Sequence, residues 1–139
     1  MRVTIIFLLL LFTASLKAPN YTRVVIVQPE EISPYESLYR SVCKVESNND
    51  PFAIGDKHLK EWSYGIVQIR QVRLDHYYDK TGIRYTTNDM FDPVKSKEVF
   101  MYFMMQYNDT DLAIRRWNGS GHKTYAYLKK VKNMTNIMY

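Results

Sequence analysis

The chain has a single cysteine, Cys43, among its 139 residues. A disulfide within the chain is therefore excluded, and an exported domain of this composition has to rely on packing alone. Because Cys43 falls in a helical apolar pattern, we interpret it as a small buried hydrophobe. The sequence also lacks an H-E-x-x-H motif, and its three histidines show no metal-ligand spacing, so we expect no metal and no cofactor.

Dense stretches of lysine and arginine are missing as well. The formal net charge is +5 at pH 7, and it falls to +3 if the first residues, which include Arg2 and Lys17, are removed. This mildly basic balance suits an anionic wall or envelope better than a specific nucleic-acid reader. We therefore predict no nucleic-acid partner.

No apolar run reaches the roughly 20 residues that a membrane-spanning helix needs. The longest run, at residues 5–12, follows the positively charged Arg2 and precedes small residues at 13–18. This pattern is typical of a secretory signal peptide, so residues 1–18 are expected to be removed and the protein to be periplasmic or secreted. The alternative is an uncleaved N-terminal membrane anchor.

The remaining chain is long enough for one domain with its own core. Residues 19–32 are predicted to form an N-terminal arm, in which the Val-Val-Ile-Val run could be a short strand. The domain itself is expected to span residues 33–139. Its first helix has a capping box, with Ser33 as N-cap and Glu36 at the third position, and should end near Glu46.

Four more helices are predicted from apolar periodicity and breakers. The second is expected to open at Gly65 and to run to about residue 80, after a loop at 49–64. The third begins at Asp92-Pro93 and the fourth at Thr110 or Asp111. The last helix shows one apolar face, which comprises Thr124, Tyr127, Leu128, Val131 and Met134. Five helices and little strand signal predict an all-α or mainly-α fold.

Glu46 is the candidate catalytic residue, because it lies where the first apolar helical pattern ends in a polar loop. An anion in the last turn of a helix loses about 0.3–1 kcal/mol to the negative end of the macrodipole. A proton on the carboxyl removes this penalty, and a carboxyl that stays protonated near neutral pH is what a general acid requires. The alternative is a solvated glutamate on a fraying helix end.

Five short motifs follow Glu46 in order along the chain. They read E-S-N-N-D-P-F-A-I-G from Glu46, G-I-V-Q from Gly65, D-P from Asp92, W-N-G from Trp117 and Y-L-K-K-V from Tyr127. This order resembles the lysozyme-like domain of soluble lytic transglycosylases, whose pattern reads roughly E-S-x-x-N-P-x-A-x-G, G-L-M-Q, D-P, Y-N-A-G and E-T-x-x-Y-V-x-x-V. The similarity covers residues 33 to about 131. Each motif is weak alone, but five in one order are fairly specific.

The resemblance implies an all-α, lysozyme-like catalytic domain that cleaves the β-1,4 bond between N-acetylmuramic acid and N-acetylglucosamine in peptidoglycan. Glu46 matches the catalytic acid, which would protonate the glycosidic oxygen and then accept a proton from the C6 hydroxyl of the muramic sugar. The product would be a 1,6-anhydro sugar. The expected partner is a peptidoglycan glycan strand, with envelope machinery as a further possible partner, and the expected state is a monomer without cofactors.

The resemblance also implies six substrate-binding residues, which are Ser47, Gly65, Gln68, Trp117, Asn118 and Tyr127. Among the first three, Ser47 either orients Glu46 or satisfies carbonyls at the helix end. Gly65 is expected to let the backbone approach the sugar, because it has no Cβ. Gln68 suits an N-acetyl group or a place beside the acid.

The other three residues are each open to a structural interpretation. Trp117 either stacks on a sugar face or belongs to the core. Asn118 either binds substrate or caps a broken helix. Tyr127 is expected to stabilise the charged acid through its hydroxyl, with a core position as the alternative.

The chain departs from the family pattern in ways that put substrate preference in doubt. Lys123 stands where the family commonly has glutamate, and Trp117 replaces tyrosine. A hydrolysing lysozyme of the same fold is a second hypothesis, with Asp56, Glu61 and Asp75 as candidate second carboxylates. A non-catalytic peptidoglycan-binding module that serves a secretion or conjugation machine is a third.

Overall fold

The computed structural model describes residues 34–138 of the chain. The predicted signal peptide, the predicted N-terminal arm and the capping serine Ser33 lie outside the described residues. Within the described part, the Glu36 carboxylate contacts Arg40 and Lys97. Five α-helices make up most of residues 34–138, which confirms the predicted mainly-α class. They are α1 (Pro34–Ser47), α2 (Gln71–Thr81), α3 (Pro93–Met104), α4 (Thr110–Asn118) and α5 (Lys123–Met138).

The helices enclose one apolar core. Helix α1 packs on α3 and α5, and α4 packs on α3 and α5. Phe100 of α3 is fully buried, with its ring centroid 5.5 Å from that of Tyr39 and 5.0 Å from that of Trp117. Through these contacts, α3 packs on both α1 and the end of α4. The predicted apolar face of α5 is confirmed, because Thr124, Tyr127 and Val131 are all buried.

Sequence signals located the helix ends well where a polar side chain caps the backbone. Asp92 caps α3, accepting a hydrogen bond from the backbone N–H of Val94 at 2.8 Å. Asp109 caps α4 one residue before the predicted start. Helix α1 ends because Asn48 and Asn49 adopt positive φ angles of 58° and 68°, which asparagine tolerates better than most residues.

The predicted second helix was wrong at its start, and the predicted loop contains strands. Three two-residue strands, β1 (Ile54–Gly55), β2 (Ser63–Tyr64) and β3 (Ile69–Arg70), form an antiparallel sheet in the order β1-β2-β3. Residues 65–68 form the turn between β2 and β3. Gly65 and Gln68 have positive φ angles of 76° and 55°, which are incompatible with a right-handed helix. Helix α2 therefore begins only at Gln71.

Candidate active site

Glu46 lies in the last turn of α1, where the two asparagines turn the chain toward the sheet. Helix α5 crosses this end of α1 and carries Tyr127, which is 8 % exposed. The Tyr127 hydroxyl donates a hydrogen bond to Oε1 of Glu46 at 2.5 Å. The other carboxyl oxygen, Oε2, has no hydrogen-bond partner among residues 34–138.

The surroundings of Glu46 act on its pKa in opposite directions. Burial raises the pKa and is the largest effect, while the hydrogen bond from Tyr127 lowers it. The negative charge of Asp56 raises the pKa further, and the guanidinium groups of Arg73 and Arg70 lower it. The net result is a raised pKa. Burial and the neighbouring Glu46 charge also raise the pKa of Tyr127, so its hydroxyl stays protonated and acts as a donor.

A cavity of about 460 Å³ opens beside Glu46. Its walls come from the end of α1, the sheet, the start of α2, and the ends of α3 and α4. Charged, amide and aromatic side chains are mixed in the lining, so several polar groups are available to a ligand. The lining residues are Glu46, Asp56, Gln68, Arg70, Val72, Arg73, His76, Phe103, Trp117, Asn118 and Gly119.

Gln68 lines this cavity, but its amide is already engaged within the protein. Nε2 donates to the carbonyls of Gly65 at 2.8 Å and Ala53 at 3.2 Å, and Oε1 accepts from the Ser63 hydroxyl at 2.7 Å. Gly55 leaves room for this amide, since a Cβ there would lie 2.1 Å from Oε1 of Gln68. Gln68 therefore holds the wall of the cavity in place.

Gly65 and Ser47 are absent from the cavity lining, and both contact the backbone of residues next to it. A Cβ on Gly65 would lie 1.9 Å from the Met90 carbonyl oxygen, so the close approach that requires glycine is to this backbone. The Ser47 hydroxyl bonds to the carbonyls of Cys43 at 3.1 Å and Ile66 at 2.8 Å. It ties the end of α1 to the 65–68 turn, which agrees with the carbonyl-satisfying alternative.

Trp117 and Asn118 both reach the cavity from the end of α4. Trp117 is only 5 % exposed and packs edge-on against Phe100 and Phe103. The core interpretation therefore accounts for most of its surface. Asn118 is exposed, and its side chain has no hydrogen-bond partner among the described residues, which leaves its amide available to a ligand.

Sequence reasoning missed the two arginines of the cavity. Arg70 forms an ion pair with Asp56, with 2.6 Å between Nη2 and Oδ2, and this hydrogen bond holds the pKa of Asp56 below its usual range. Arg73 lies over the rings of Trp117 and Phe103. The available signal was their spacing. Arg70 and Arg73 are three positions apart at the start of α2, so a helical turn places them on the same side.

Two of the three candidate second carboxylates lie elsewhere. Glu61 accepts a hydrogen bond from the backbone N–H of Val72 at 2.6 Å and lines a separate cavity. Asp75 is exposed and accepts from the Gln71 amide. Asp56 alone among the three lines the cavity beside Glu46.

Within residues 34–138, no cluster of three or more histidine, cysteine, aspartate or glutamate side chains has a geometry that could hold a metal ion. In the same part of the chain, no helix has the length and apolarity needed to span a membrane. Comparisons with protein-family models, with curated proteins and with solved structures give no match to this chain.

Proposed function

We propose that the chain is an exported peptidoglycan lytic transglycosylase with a lysozyme-like fold and Glu46 as its single acid and base. The observation that carries the proposal is the Glu46 carboxyl, which has a raised pKa, opens on a cavity and has one oxygen held by Tyr127. A carboxyl of this kind can donate a proton near neutral pH and take one back later.

In the proposed reaction, Glu46 donates one proton in the first step and accepts one in the second. Protonated Glu46 gives its proton to the glycosidic oxygen as the bond from the muramic anomeric carbon to that oxygen breaks. The carbonyl oxygen of the sugar's own N-acetyl group bonds to the anomeric carbon in the same step. Ionised Glu46 then accepts the proton of the C6 hydroxyl, whose oxygen displaces the N-acetyl oxygen. The 1,6-anhydro ring closes and Glu46 is protonated again.

Tyr127 and Asn118 have separate parts in this scheme. The ionised carboxylate exists only between the two steps, and the hydrogen bond from the Tyr127 hydroxyl stabilises that form. Burial favours the protonated form before the reaction, so the two effects keep both forms accessible. Asn118 offers an unpaired amide at the cavity mouth, which suits the N-acetyl and hydroxyl groups of a saccharide.

The proposal is tested by mass spectrometry of peptidoglycan digested with the parent protein and with Glu46→Gln. The parent should release muropeptides with 1,6-anhydro ends, and the variant should release none while remaining folded by circular dichroism. Equal release by both proteins would refute the role of Glu46. A variant and parent that both bind insoluble peptidoglycan without any release would support the non-catalytic wall-binding alternative.

Hydrolysis is the second candidate, and the position of Asp56 favours it. Asp56 shares the cavity with Glu46, and a second carboxylate is what a hydrolysing glycosidase uses to activate water. The bond from Arg70, however, lowers the pKa of Asp56 and makes it a weak base. Reducing ends in the digest that disappear in Asp56→Asn would identify the protein as a muramidase.

A further inference from the structure

The cavity beside Glu46 has an unbalanced positive charge. Asp56 and Arg70 neutralise each other through their 2.6 Å ion pair. Arg73 lines the same cavity, but it lies within salt-bridge distance of no carboxylate among residues 34–138. When Glu46 is in its protonated, uncharged form, the charge of Arg73 is therefore left without a partner.

The Arg73 guanidinium is held rigidly by backbone and rings. Nη2 donates to the carbonyl of Trp117 at 2.5 Å and to that of Arg116 at 3.2 Å. The guanidinium carbon lies 4.3 Å from the ring centroid of Trp117 and 5.0 Å from that of Phe103. A fixed cation loses little conformational entropy when a ligand binds, and it is therefore suited to recognition.

Part of the hydrogen-bonding capacity of Arg73 is unused. A guanidinium has five N–H groups, and the two on Nη2 account for every hydrogen bond that Arg73 makes among residues 34–138. The three N–H groups on Nε and Nη1 are left for a ligand. Each of these N–H groups can donate a charge-assisted hydrogen bond to a carboxylate oxygen.

We infer that Arg73 is a specificity-determining residue that binds a carboxylate of the glycan next to the bond cleaved at Glu46. This inference rests on the proposed function. Glycans that contain muramic acid carry such a group on the lactyl ether, or on the stem peptide where the lactyl group is amide-linked. A glycan built only from N-acetylglucosamine has none.

Binding of a carboxylate to Arg73 has a consequence for the acid. The positive charge of Arg73 lowers the pKa of Glu46. A bound carboxylate offsets that charge, so the correct substrate helps to keep Glu46 protonated until the proton is needed. A neutral saccharide in the same cavity lacks this effect.

Binding measured by calorimetry tests the inference without turnover, in the Glu46→Gln background. The three probes are chitotetraose, a tetrasaccharide of alternating N-acetylglucosamine and muramic acid with free lactyl groups, and the same tetrasaccharide with stem peptides. At least one muramic probe should bind about tenfold tighter than chitotetraose. Adding Arg73→Gln should abolish this preference, and Arg73→Lys should retain part of it because the charge remains.

Arg115→Gln is the matched control, since Arg115 also lies over an aromatic ring, 3.6 Å from the centroid of Tyr125, and bonds to Thr124. It is not part of the cavity lining, so the preference should be unchanged. The muramic probe that loses affinity in Arg73→Gln identifies the lactyl or the peptide carboxylate as the source.

The possible outcomes separate this inference from the proposed function. If Arg73→Gln weakens all three probes by the same factor, Arg73 is a packing residue and the inference is overturned, while the proposed function stands. If no saccharide binds to any of the folded variants, both are overturned.

Discussion

Gly65 is the residue at which a single added carbon should disturb the candidate site most. With a φ of 76°, an alanine at this position costs about 1–2 kcal/mol in backbone conformation alone. Its Cβ would also lie 1.9 Å from the carbonyl oxygen of Met90 and 2.7 Å from the carbonyl carbon. That carbonyl is fixed by a 3.1 Å hydrogen bond from the buried Ser96 hydroxyl. The backbone must therefore shift, at a cost of about 1–3 kcal/mol.

The chain offers a closely matched control in Gly82, which ends α2 with a φ of 75°. A Cβ there meets nothing within 4 Å, so Gly82→Ala carries the conformational cost without the clash. We therefore expect Gly65→Ala to lower the free energy of unfolding by about 2–5 kcal/mol and Gly82→Ala by about 1–2 kcal/mol. Urea denaturation followed by circular dichroism measures both values.

Activity provides a second measurement on the same pair of variants. The Gly65 carbonyl accepts a hydrogen bond from the Gln68 amide, so a shift of the turn moves a wall of the cavity. Gly65→Ala should lose anhydro-muropeptide release beyond its loss of folded protein, whereas Gly82→Ala should not. Equal losses of stability in the two variants would refute the argument from close approach.

Three further predictions concern the carboxyl groups. Glu46→Gln should raise the free energy of unfolding at pH 7, because burial raises the pKa of Glu46 and the ionised form is unfavourable in the folded protein. This gain should shrink as pH falls toward the unfolded value of about 4.3. Tyr127→Phe should slow anhydro-product release about tenfold or more and shift the pH optimum upward, because the lost hydrogen bond had lowered the pKa of Glu46. Asp56→Asn should leave the release of anhydro-muropeptides unchanged. It should raise the affinity for anionic saccharides, since Arg70 loses its carboxylate partner.

Glu36→Gln is the control for the first of these predictions, because its sign is opposite. The hydrogen bond from Lys97 lowers the pKa of Glu36, so its ionised form stabilises the folded protein above the unfolded pKa. Glu36→Gln should be less stable than the parent at pH 7, and the deficit should vanish as pH falls through the folded pKa. The same pH dependence in Glu36→Gln and Glu46→Gln would contradict the difference in burial.

Local signals were sufficient for the starts of α3 and α4. The side chains of Asp92 and Asp109 cap the helices that follow them. The residues that determine where these helices begin are therefore neighbours in sequence. The Tyr127 hydroxyl lies within hydrogen-bond distance of Glu46, as the predicted role requires, and the role itself stays a prediction. The periodicity of α5 had placed Tyr127 on the buried face, and the resemblance supplied the partner.

The 65–68 turn could not be predicted from its own residues, because contacts from outside it determine its shape. Its apolar side chains occur at a spacing that a helix would also allow. Gln68 keeps a positive φ because Ser63 and the Ala53 carbonyl bind its amide, and both lie outside the predicted helix. The charge of the cavity could not be predicted either, since only the folded chain shows that Arg70 has a carboxylate partner and that Arg73 has none among residues 34–138.

The hydrogen bond between α1 and α5 joins residues 81 positions apart. A growing chain exposes Glu46 long before the ribosome has made Tyr127, and until then the carboxyl has neither its phenol partner nor the shelter of the last helix. Under the proposed function, a polypeptide still in transit across a membrane is harmless to the wall around it. Under the same proposal, cutting requires that α5 has first docked on α1, so the order of synthesis would delay the onset of lysis.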